Sequence, residues 1–487
     1  MIPLTLEEIV QAAGGLVDGP IPAISARGVS TDSRTVQAGD VFFALHGPRF
    51  DGHDFVPAAI DKGAVAAVVQ RRRAAELARR LASQSGTTLI RVDDPLTALG
   101  RLAAYHREQT SADVIAVAGS NGKTTTKAMI DHLLSERLRG RCSPRSFNNA
   151  IGVPLTLLAA EAADDYLVVE IGTNAPGEVR SLAALARPKL AVITCIGAEH
   201  LQRLDNLEGV AAEECSLLDE LSAAGFAAIN IDWPRIRDYL PRGNLTVVTF
   251  GRSPEADLRI TATRYESPWL HFEINARFAY RLRAPGAHNA LNAAAAIAIA
   301  RRLGFEHEQI AARLESFALP AMRSQVIEAG GLTLVNDAYN ANPDSAAAAI
   351  AALEEMPARG RRVLVFGEMC ELGAASERFH RQIAERLLES RIDLVVLVGP
   401  AAEMMGPVLA GERLFGPRLH TCPDVPQAAA LLAELLRPGD VAWFKASRAV
   451  GLERAVEDVR SARTPCDQAA APAQRAAPGC PTPRTDD

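Results

Sequence analysis

Short apolar runs alternate with helical patterns along most of this 487-residue chain. Four runs in its middle have the unbroken apolar character of strands buried on both faces. They are VIAVA at 114–118, YLVVEIG at 166–172, LAVITCIG at 190–197 and FAAINID at 226–232. A second set follows, with RRVLVFG at 361–367, LVVLVG at 394–399 and DVAWFKA at 440–446. The alternation predicts doubly wound α/β domains with parallel sheets in both regions.

Changes in this pattern divide the chain into four segments. Residues 1–93 mix short strand-like runs with turn residues, and residues 94–318 and 319–461 hold the two alternating regions. Residues 462–487 are rich in Pro and Ala without apolar periodicity, which is typical of a disordered tail. We therefore predict a smaller N-terminal α/β domain, a central doubly wound domain, a C-terminal Rossmann-like domain and a tail.

Composition and charge narrow the class of protein. The net charge of −6 argues against a nucleic-acid-binding surface. The seven cysteines form no CxxC pair, which favours free thiols in a reducing compartment. The most apolar run, residues 290–300, is too short to cross a bilayer and predicts a buried helix. We expect a cytoplasmic protein that neither inserts into a membrane nor binds nucleic acid.

The stretch GSNGKTTTKAM at 119–129 lies between a predicted strand and a helical pattern. Backbone N–H groups and the helix N-terminus at such a turn face an anion, which predicts a phosphate-binding loop. Lys123 is expected to neutralise phosphate charge, and the Thr124 hydroxyl to hold Mg²⁺. The loop departs from the standard pattern, because Val117 occupies the position of its first glycine.

Two further polar residues follow predicted strands of the same region. Glu170 ends the run YLVVE, and His200 comes shortly after LAVITCIG. Since the carboxyl ends of parallel strands meet at one edge of a sheet, we expect Glu170 near the phosphate loop. The pattern alone leaves open that Glu170 is a surface glutamate and that His200 is a hydrogen-bonded loop residue.

Several motifs, in order, resemble those of the Mur ligases, the cytoplasmic enzymes that build the peptidoglycan stem peptide. GSNGKTTTKAM is similar to their shortened ATP loop. The segments at 147–158, 170–179, 285–296, 336–349, 366–373 and 444–453 resemble the members that add D-Ala-D-Ala. STDSRTVQAGDVFFALHGPRFDGHDF at 30–55 is similar to the UDP-binding N-terminal domain of those members and of the ligase that acts before them.

The resemblance implies an ATP-dependent amide ligase. ATP would phosphorylate the terminal carboxylate of a UDP-N-acetylmuramoyl-tripeptide, the amine of D-Ala-D-Ala would attack the acyl phosphate, and ADP and phosphate would leave. The implied cofactors are ATP and Mg²⁺, and the implied role is in cell wall synthesis, cell shape and division. We expect a monomer with three α/β domains in which the C-terminal domain closes on ATP bound to the central one.

The resemblance also implies roles for residues in the matching motifs. The catalytic set is Lys123, Glu170, His200, Glu214 and Arg323, and the metal set is Thr124, Glu170 and His200. The ATP set is Gly119, Ser120, Asn121, Gly122, Lys123, Thr124, Thr125, Asn289, Asn292, Arg323 and Asp337. Ser33, Arg34, Asp51, Gly52 and His53 would contact the UDP end, and Asn340 and Asn342 the dipeptide. Helix capping or turn formation stays open for the asparagines and for Asp337.

One position departs from the family pattern. Mur ligases carry a carbamylated lysine on the helix after the His200 motif, and Glu214 aligns with that lysine. No other alignment restores it, because no lysine occurs between Lys189 and Lys445. We expect the Glu214 carboxylate to supply the negative charge directly, acting on Mg²⁺ through one bound water.

Three other functions stay open. A folylpolyglutamate synthase of the same superfamily is disfavoured by the YNANP motif at 339–343. A GTP-binding switch protein would carry an Asn-Lys-x-Asp guanine motif, which this sequence lacks. A non-enzymatic nucleotide-binding scaffold is disfavoured because Lys123, Glu170 and His200 are all present.

Overall fold

The structure is a computed structural model that describes residues 1–82, 88–222, 224–240, 245–411 and 416–463. Nearly all of the tail predicted at 462–487 lies outside the described residues. Three α/β units follow one another along the chain, each built on its own main sheet. Among the described residues, no helix is long and apolar enough to cross a membrane.

The N-terminal unit is built on a parallel four-stranded sheet of order β3-β4-β5-β6, beside an antiparallel pair, β1-β2. Its strands are β1 (Leu4–Thr5), β2 (Ser25–Ala26), β3 (Gly28–Ser30), β4 (Asp40–Phe43), β5 (Ala66–Gln70) and β6 (Thr88–Val92). Its helices are α1 (Leu6–Ala13), α2 (Val56–Asp61) and α3 (Arg71–Arg80), and α4 (Pro95–Glu108) leads from this unit into the central one. Helix α1 begins with a capping box, in which Thr5 and Glu8 satisfy each other's backbone N–H groups.

The central unit contains a nine-stranded sheet of order β15-β14-β13-β12-β11-β10-β7-β9-β8. Its strands are β7 (Asp113–Ala118), β8 (Gly140–Cys142), β9 (Tyr166–Glu170), β10 (Leu190–Ile193), β11 (Phe226–Asn230), β12 (Thr246–Gly251), β13 (Leu258–Glu266), β14 (Trp269–Ile274) and β15 (Phe278–Leu282). Its helices are α5 (Lys123–Leu134), α6 (Gly152–Leu158), α7 (Glu178–Ala186), α8 (Leu201–Leu204), α9 (Leu207–Cys215), α10 (His288–Arg302) and α11 (His307–Leu314). The four predicted strands β7, β9, β10 and β11 pair in parallel, and β8, β12 and β13 extend this parallel part of the sheet. Strands β13, β14 and β15 form an antiparallel extension that was not predicted.

Helices cover both faces of the central sheet. Along β7, Val114, Ala116 and Ala118 face the core that contains α4, α6 and α7, whereas Ile115 and Val117 face α5 and α10. Because both faces are covered, the strand reads as an unbroken apolar run. The predicted buried helix at 290–300 is confirmed, since these residues lie in α10 and almost all of them are buried.

The C-terminal unit has a six-stranded sheet of order β16-β17-β21-β18-β19-β20, parallel except for the edge strand β16. Its strands are β16 (Gln325–Ala329), β17 (Leu332–Asp337), β18 (Arg362–Phe366), β19 (Leu394–Val398), β20 (Leu419–Cys422) and β21 (Val441–Lys445). Its helices are α12 (Pro343–Glu355), α13 (Ser376–Leu388), α14 (Pro400–Gly411), α15 (Val425–Leu435) and α16 (Glu453–Arg463). The predicted doubly wound α/β class is therefore confirmed for this unit.

Several predicted strands are shorter in the structure, among them the two that end beside the phosphate loop. The run at 166–172 ends as a strand at Glu170, and the run at 190–197 ends at Ile193. Beyond Ile193, the Cys195 carbonyl accepts a hydrogen bond from the Ser120 backbone, and the Gly197 N–H donates to the Ser120 hydroxyl. These backbone groups therefore bind the phosphate loop instead of a neighbouring strand.

Candidate active site

A cavity of about 570 Å³ lies between the carboxyl ends of the central strands and those of the C-terminal strands β17 and β21. The predicted site residues that line it are Ser120, Asn121, Gly122, Lys123, Thr125, Glu170, His200, Asn289, Asn292, Arg323, Asp337 and Asn340. The carboxyl edge of an open α/β sheet is the usual place for a ligand. Residues from two sheets thus face one ligand-sized space.

The loop between β7 and α5 requires glycine at two positions. Gly119 and Gly122 have φ values of +118° and +82°. A Cβ on Gly119 would lie 2.3 Å from Thr194 Oγ1, and a Cβ on Gly122 would lie 2.2 Å from Asn292 Oδ1. Val117, by contrast, is a fully buried strand residue. The turn therefore begins after β7 ends, which accounts for the missing first glycine.

Lys123, the first residue of α5, is held at the edge of the cavity. Its ammonium donates to the Gly119 carbonyl and lies 3.6 Å from Glu199 and 4.0 Å from Glu214. Burial acts to lower the pKa of Lys123, but the nearby acidic groups, Glu199 and Glu214 first and then Glu170, together outweigh burial and raise it. Lys123 is therefore a fixed positive charge at the phosphate loop.

Glu199 is a buried acidic partner of Lys123 that the sequence did not reveal. Its side chain is 5% exposed, and burial raises its pKa well above the ordinary value, with repulsion by Glu214 adding to the effect while Lys123 opposes it. Glu199 Oε1 and Glu214 Oε1 both lack a hydrogen-bond partner among the described residues. In the sequence, only its position next to His200 could have indicated a role for Glu199.

Glu214 lies behind the phosphate loop. It is fully buried, and its Oε2 atom accepts a hydrogen bond of 2.6 Å from the Gly119 backbone. It does not line the cavity. Our expectation that Glu214 acts on a metal through one water is therefore not supported, because its carboxylate is engaged by the loop and by Lys123.

The neighbouring Glu213 has different hydrogen-bond partners. It accepts hydrogen bonds from the backbone of Gly177 at 2.6 Å and of Val179 at 2.8 Å. These N–H groups belong to the start of α7, where a carboxylate is favoured by the helix dipole. Of the two glutamates, Glu214 aligns with the family's lysine and accepts the Gly119 N–H of the phosphate loop. Glu213 accepts from the start of α7 instead.

Thr124 and Glu170 form the part of the predicted metal set that the structure brings together. The Thr124 hydroxyl donates to Glu170 Oε1 at 3.2 Å, and Asn148 donates to the same oxygen at 3.1 Å. One carboxylate and one hydroxyl suit Mg²⁺, which keeps several waters and takes phosphate oxygens as further ligands. Among the described residues, no three His, Cys, Asp or Glu side chains cluster as a metal site, so His200 does not complete a preformed one.

Lys127 is a second buried lysine that the sequence analysis missed. Its ammonium lies 3.2 Å from Glu170 Oε2 and donates to the carbonyls of Ser143 and Arg145. Lys127 follows Lys123 by one turn of α5, and only this spacing could have indicated from the sequence that the two lysines lie on the same side of the helix. Lys127 compensates the buried charge of Glu170.

His200 has a left-handed backbone, with φ at +50°, and lies where the central and C-terminal units meet. Its Nδ1 atom is 2.5 Å from Glu371 Oε2, whereas its Nε2 atom is 3.9 Å from Glu199. Burial lowers the pKa of His200, although Glu371 opposes this effect. The imidazole is therefore held between two carboxylates at the cavity wall.

Arg323 reaches the phosphate loop from the C-terminal unit. It donates to the Thr124 hydroxyl at 3.1 Å, and its guanidinium lies 4.0 Å from the centre of the Tyr339 ring. Its neighbours Met322 and Ser324 have left-handed φ values of +59° and +51°. This backbone, uncommon for residues other than glycine, directs Arg323 into the cavity.

Asp337 and the asparagines of the YNANP motif have unequal access to the cavity. Asp337 pairs with Lys445 at 2.9 Å, and Lys445 also donates to the Asn340 carbonyl. Asn342 caps α12 and donates to Asn121 Oδ1 at 2.9 Å. Asn342 does not line the cavity, so its predicted contact with the dipeptide is replaced by a contact between the two units.

Asn289 and Asn292 lie inside the first turns of α10, so Asn289 is not its N-cap. Asn289 donates to the Pro285 carbonyl and accepts from Asn292, which in turn accepts from Thr126 at 3.4 Å. Both side chains are buried and line the cavity beside the phosphate loop. Their amides are thus fixed before any ligand binds.

The residues predicted for the UDP end lie apart from this cavity, at the carboxyl edge of the N-terminal sheet. The His53 ring is buried, with Nδ1 at 2.5 Å from Asp51 and Nε2 accepting from the Gln70 backbone. A Cβ on Gly52 would lie 2.5 Å from the Leu45 carbonyl. His53 and Gly52 therefore shape the loop, and direct ligand contact by the His53 ring is not supported. Ser33, like the exposed Arg34, is more accessible.

Comparison with known proteins agrees with this geometry. Family models match residues 25–107 (Mur ligase family, catalytic domain), 117–300 (Mur ligase middle domain) and 322–448 (Mur ligase, glutamate ligase domain). The UDP-N-acetylmuramoyl-tripeptide–D-alanyl-D-alanine ligase of Bacillus subtilis is 34% identical over 94% of this chain and 99% of its own.

Solved structures give the same result. MurF from Acinetobacter baumannii is 29% identical, with a TM-score of 0.82 over 94% of this chain and 99% of that one. MurF from Thermotoga maritima, in complex with ADP, is 30% identical, with a TM-score of 0.77 over 90% and 98%. The chain therefore belongs to the Mur ligase family.

Proposed function

We propose that this chain is an ATP-dependent ligase that joins D-Ala-D-Ala to the terminal carboxylate of a UDP-N-acetylmuramoyl-tripeptide in peptidoglycan synthesis. The observation that carries the proposal is that Arg323 of the C-terminal unit contacts Thr124 of the phosphate loop, at a cavity that both Arg323 and Lys123 line. The relative from Bacillus subtilis, which is named for this reaction, matches 94% of this chain.

The phosphate loop and Arg323 perform the first half of the reaction. The tripeptide carboxylate attacks the γ-phosphoryl group of ATP, and ADP leaves. Such a transfer depends on positioning and on neutralising charge on the phosphate oxygens. Lys123 supplies one fixed positive charge from α5 and Arg323 supplies another from the C-terminal unit. The second half is attack by the dipeptide amine on the acyl phosphate, with release of phosphate.

Mg²⁺ fits the residues beside the loop. We propose that Thr124 and Glu170 hold it, where it would neutralise charge on the β- and γ-phosphates. Lys127 and Asn148 keep the Glu170 carboxylate in place behind this position. His200 lines the same cavity.

Glu199 and Glu214 position the loop. They hold Lys123 from behind, and Glu214 also accepts the Gly119 N–H. We propose that they take no part in the chemistry directly and that Asn289, Asn292 and Asp337 bind the nucleoside of ATP. Ser33 and Arg34, at the carboxyl edge of the N-terminal sheet, are the proposed contacts for the UDP end.

The three main sheets fit the division into a UDP-substrate domain at 1–93, an ATP-binding domain at 94–318 and a ligase domain at 319–461. We propose that the enzyme works as a monomer, because one chain supplies both walls of the cavity. We also propose a cytoplasmic location. The described cysteines are all free, which suits a reducing compartment.

Phosphate release in the presence of ATP, Mg²⁺ and UDP-N-acetylmuramoyl-tripeptide tests the proposal. Release should require an amine and should be fastest with D-Ala-D-Ala, compared with D-Ala, L-Lys and L-Glu as matched alternatives. Mass spectrometry should show the tripeptide extended by two alanines. Release that is independent of any amine, or extension by another amino acid in preference to the dipeptide, would contradict the assignment.

A further inference from the structure

A second cavity of about 280 Å³ lies next to the first. It is lined by Asn174, His200, Gln202, Arg203 and Glu371, and it shares Asn174 and His200 with the larger cavity. It therefore adjoins the wall at which the proposed acyl phosphate would form. Arg203 and Gln202 do not line the larger cavity.

Both units build this second cavity. Arg203 belongs to α8 of the central unit, whereas Glu371 comes from the C-terminal unit. The Gln202 N–H donates to the Glu371 carbonyl at 3.4 Å. A Cβ on Gly373 would lie 3.2 Å from the Gln202 backbone. The walls are thus in close contact, and the cavity exists only where the two units meet.

The charges on the cavity wall are of opposite sign. Among the described residues, the Arg203 guanidinium has no carboxylate or carbonyl partner, and it is exposed to the cavity and to solvent. Glu371 contacts His200 through Oε2, and a carboxylate has a second oxygen that can accept from an ammonium. One guanidinium and one carboxylate suit a small zwitterion.

We propose that this cavity binds the dipeptide D-Ala-D-Ala, with its C-terminal carboxylate on Arg203 and its ammonium on Glu371 beside His200. Two extended residues span at most about 7 Å, so a dipeptide can reach both walls of a small cavity. Its amine then faces the larger cavity, where the acyl phosphate forms. This inference rests on the proposed ligase function, and it places the dipeptide contact on Arg203 instead of on Asn340 and Asn342.

The test measures KM for each of the three substrates in wild type, Arg203→Gln and Arg203→Lys. Arg203→Gln should raise KM for D-Ala-D-Ala by roughly 10- to 100-fold, the size expected for a lost charge-assisted hydrogen bond, with kcat within about two-fold. KM for ATP and for the UDP-tripeptide should stay unchanged. KM of Arg203→Lys for D-Ala-D-Ala should lie between the values for wild type and Arg203→Gln. Lysine keeps the positive charge but loses the paired N–H donors of the guanidinium.

A neutral analogue of the dipeptide provides a second test. D-alanyl-D-alaninamide lacks the carboxylate, so wild type should use it poorly and Arg203→Gln should use it no worse than wild type does. Arg277→Gln removes one positive charge at the exposed turn between β14 and β15 and serves as the matched control. It should leave all three KM values unchanged.

Two results would overturn the inference. One is an unchanged KM for D-Ala-D-Ala in Arg203→Gln. The other is a raised KM for the UDP-tripeptide instead, which would assign the cavity to a carboxylate of the tripeptide. In both cases wild type still performs the ligation, so the proposed function stands. Absence of ligation by wild type would instead refute the proposed function.

Discussion

At the scale of residues, the site balances buried charges of opposite sign. Lys123 faces Glu199 and Glu214, and one turn later Lys127 faces Glu170. A buried charge without a partner is costly, so each of these side chains fixes another. The phosphate loop is consequently held in shape before ATP binds.

Replacing Lys123 removes the charge that the loop directs at the phosphates. Lys123→Ala should lower kcat by on the order of 10² or more, because the missing charge acts on the transferring phosphoryl group. Circular dichroism should show an intact fold. Lys189→Ala, at an exposed lysine that pairs with Asp113, is the control and should keep full activity. Ligation near the wild-type rate in Lys123→Ala would remove the loop from the mechanism.

The adjacent glutamates Glu213 and Glu214 should respond differently to the same substitution. Glu214→Gln should reduce kcat about ten-fold, since a charge that fixes Lys123 is lost. Glu213→Gln should leave kcat within about two-fold and lower stability by about 1 kcal/mol, because it weakens the capping of α7. Steady-state kinetics and thermal unfolding separate the two effects. Equal effects of both variants on kcat would contradict these assignments.

The aligned lysine of the family is absent here, so carbon dioxide has no lysine to modify at this position. Ligation by wild type should therefore not respond to the removal or addition of bicarbonate. The rate measured in degassed buffer, with and without added bicarbonate, checks this. A rate that rises with bicarbonate would show that another group is modified.

Motif spacing identified Lys123, Thr124 and Glu170, because a strand, a glycine turn and a helix have a recognisable order in the sequence. It did not identify Glu199 or Lys127. Their importance depends on burial and on partners that are distant along the chain, such as Glu214 for Glu199. Single-sequence patterns carry no information on such contacts.

At the scale of elements, α4 joins the N-terminal and central units. Leu99 and Leu102 of α4 lie in one core with Ile9 of α1 and Val114 of β7. The fully buried His106, near the end of α4, accepts a hydrogen bond of 3.0 Å from the Ile2 backbone. Burial lowers the pKa of His106 to about 4.

This pKa gives stability a defined dependence on pH. The unfolded chain binds a proton at His106 below a pH of about 6.5, whereas the folded chain does so only near pH 4. Folding stability should therefore fall by about 2–3 kcal/mol from this group as pH drops from 7 to 4. Urea unfolding of wild type and His106→Gln at several pH values measures it. His271→Gln, at a partly exposed histidine, is the control, and equal pH slopes in wild type and His106→Gln would contradict the account.

Strand positions were predictable because buried parallel strands are unbroken apolar runs. Strand ends were not, since the residues after Ile193 bind the phosphate loop instead of extending the sheet. The antiparallel strands β14 and β15 were also missed. Strand β14 alternates between buried and partly exposed residues, which gives a weaker signal than the central strands.

At the scale of the whole molecule, the active site exists only because two units meet. Arg323 contacts Thr124, Asn342 contacts Asn121, and the Asp344 carboxylate accepts the Ala198 N–H at 3.2 Å. These contacts join segments that are more than a hundred residues apart. The order of the motifs predicted the units, but only the fold shows which side chains join them.

The central claim is that ATP activates the tripeptide carboxylate as an acyl phosphate. The most direct measurement uses UDP-N-acetylmuramoyl-tripeptide labelled with ¹⁸O in that carboxylate, together with ATP and D-Ala-D-Ala. One labelled oxygen should appear in the released phosphate, because the oxygen that attacked the γ-phosphoryl group leaves with it. Labelled phosphate in step with dipeptide addition is the predicted result. Dipeptide addition accompanied by unlabelled phosphate would contradict the account.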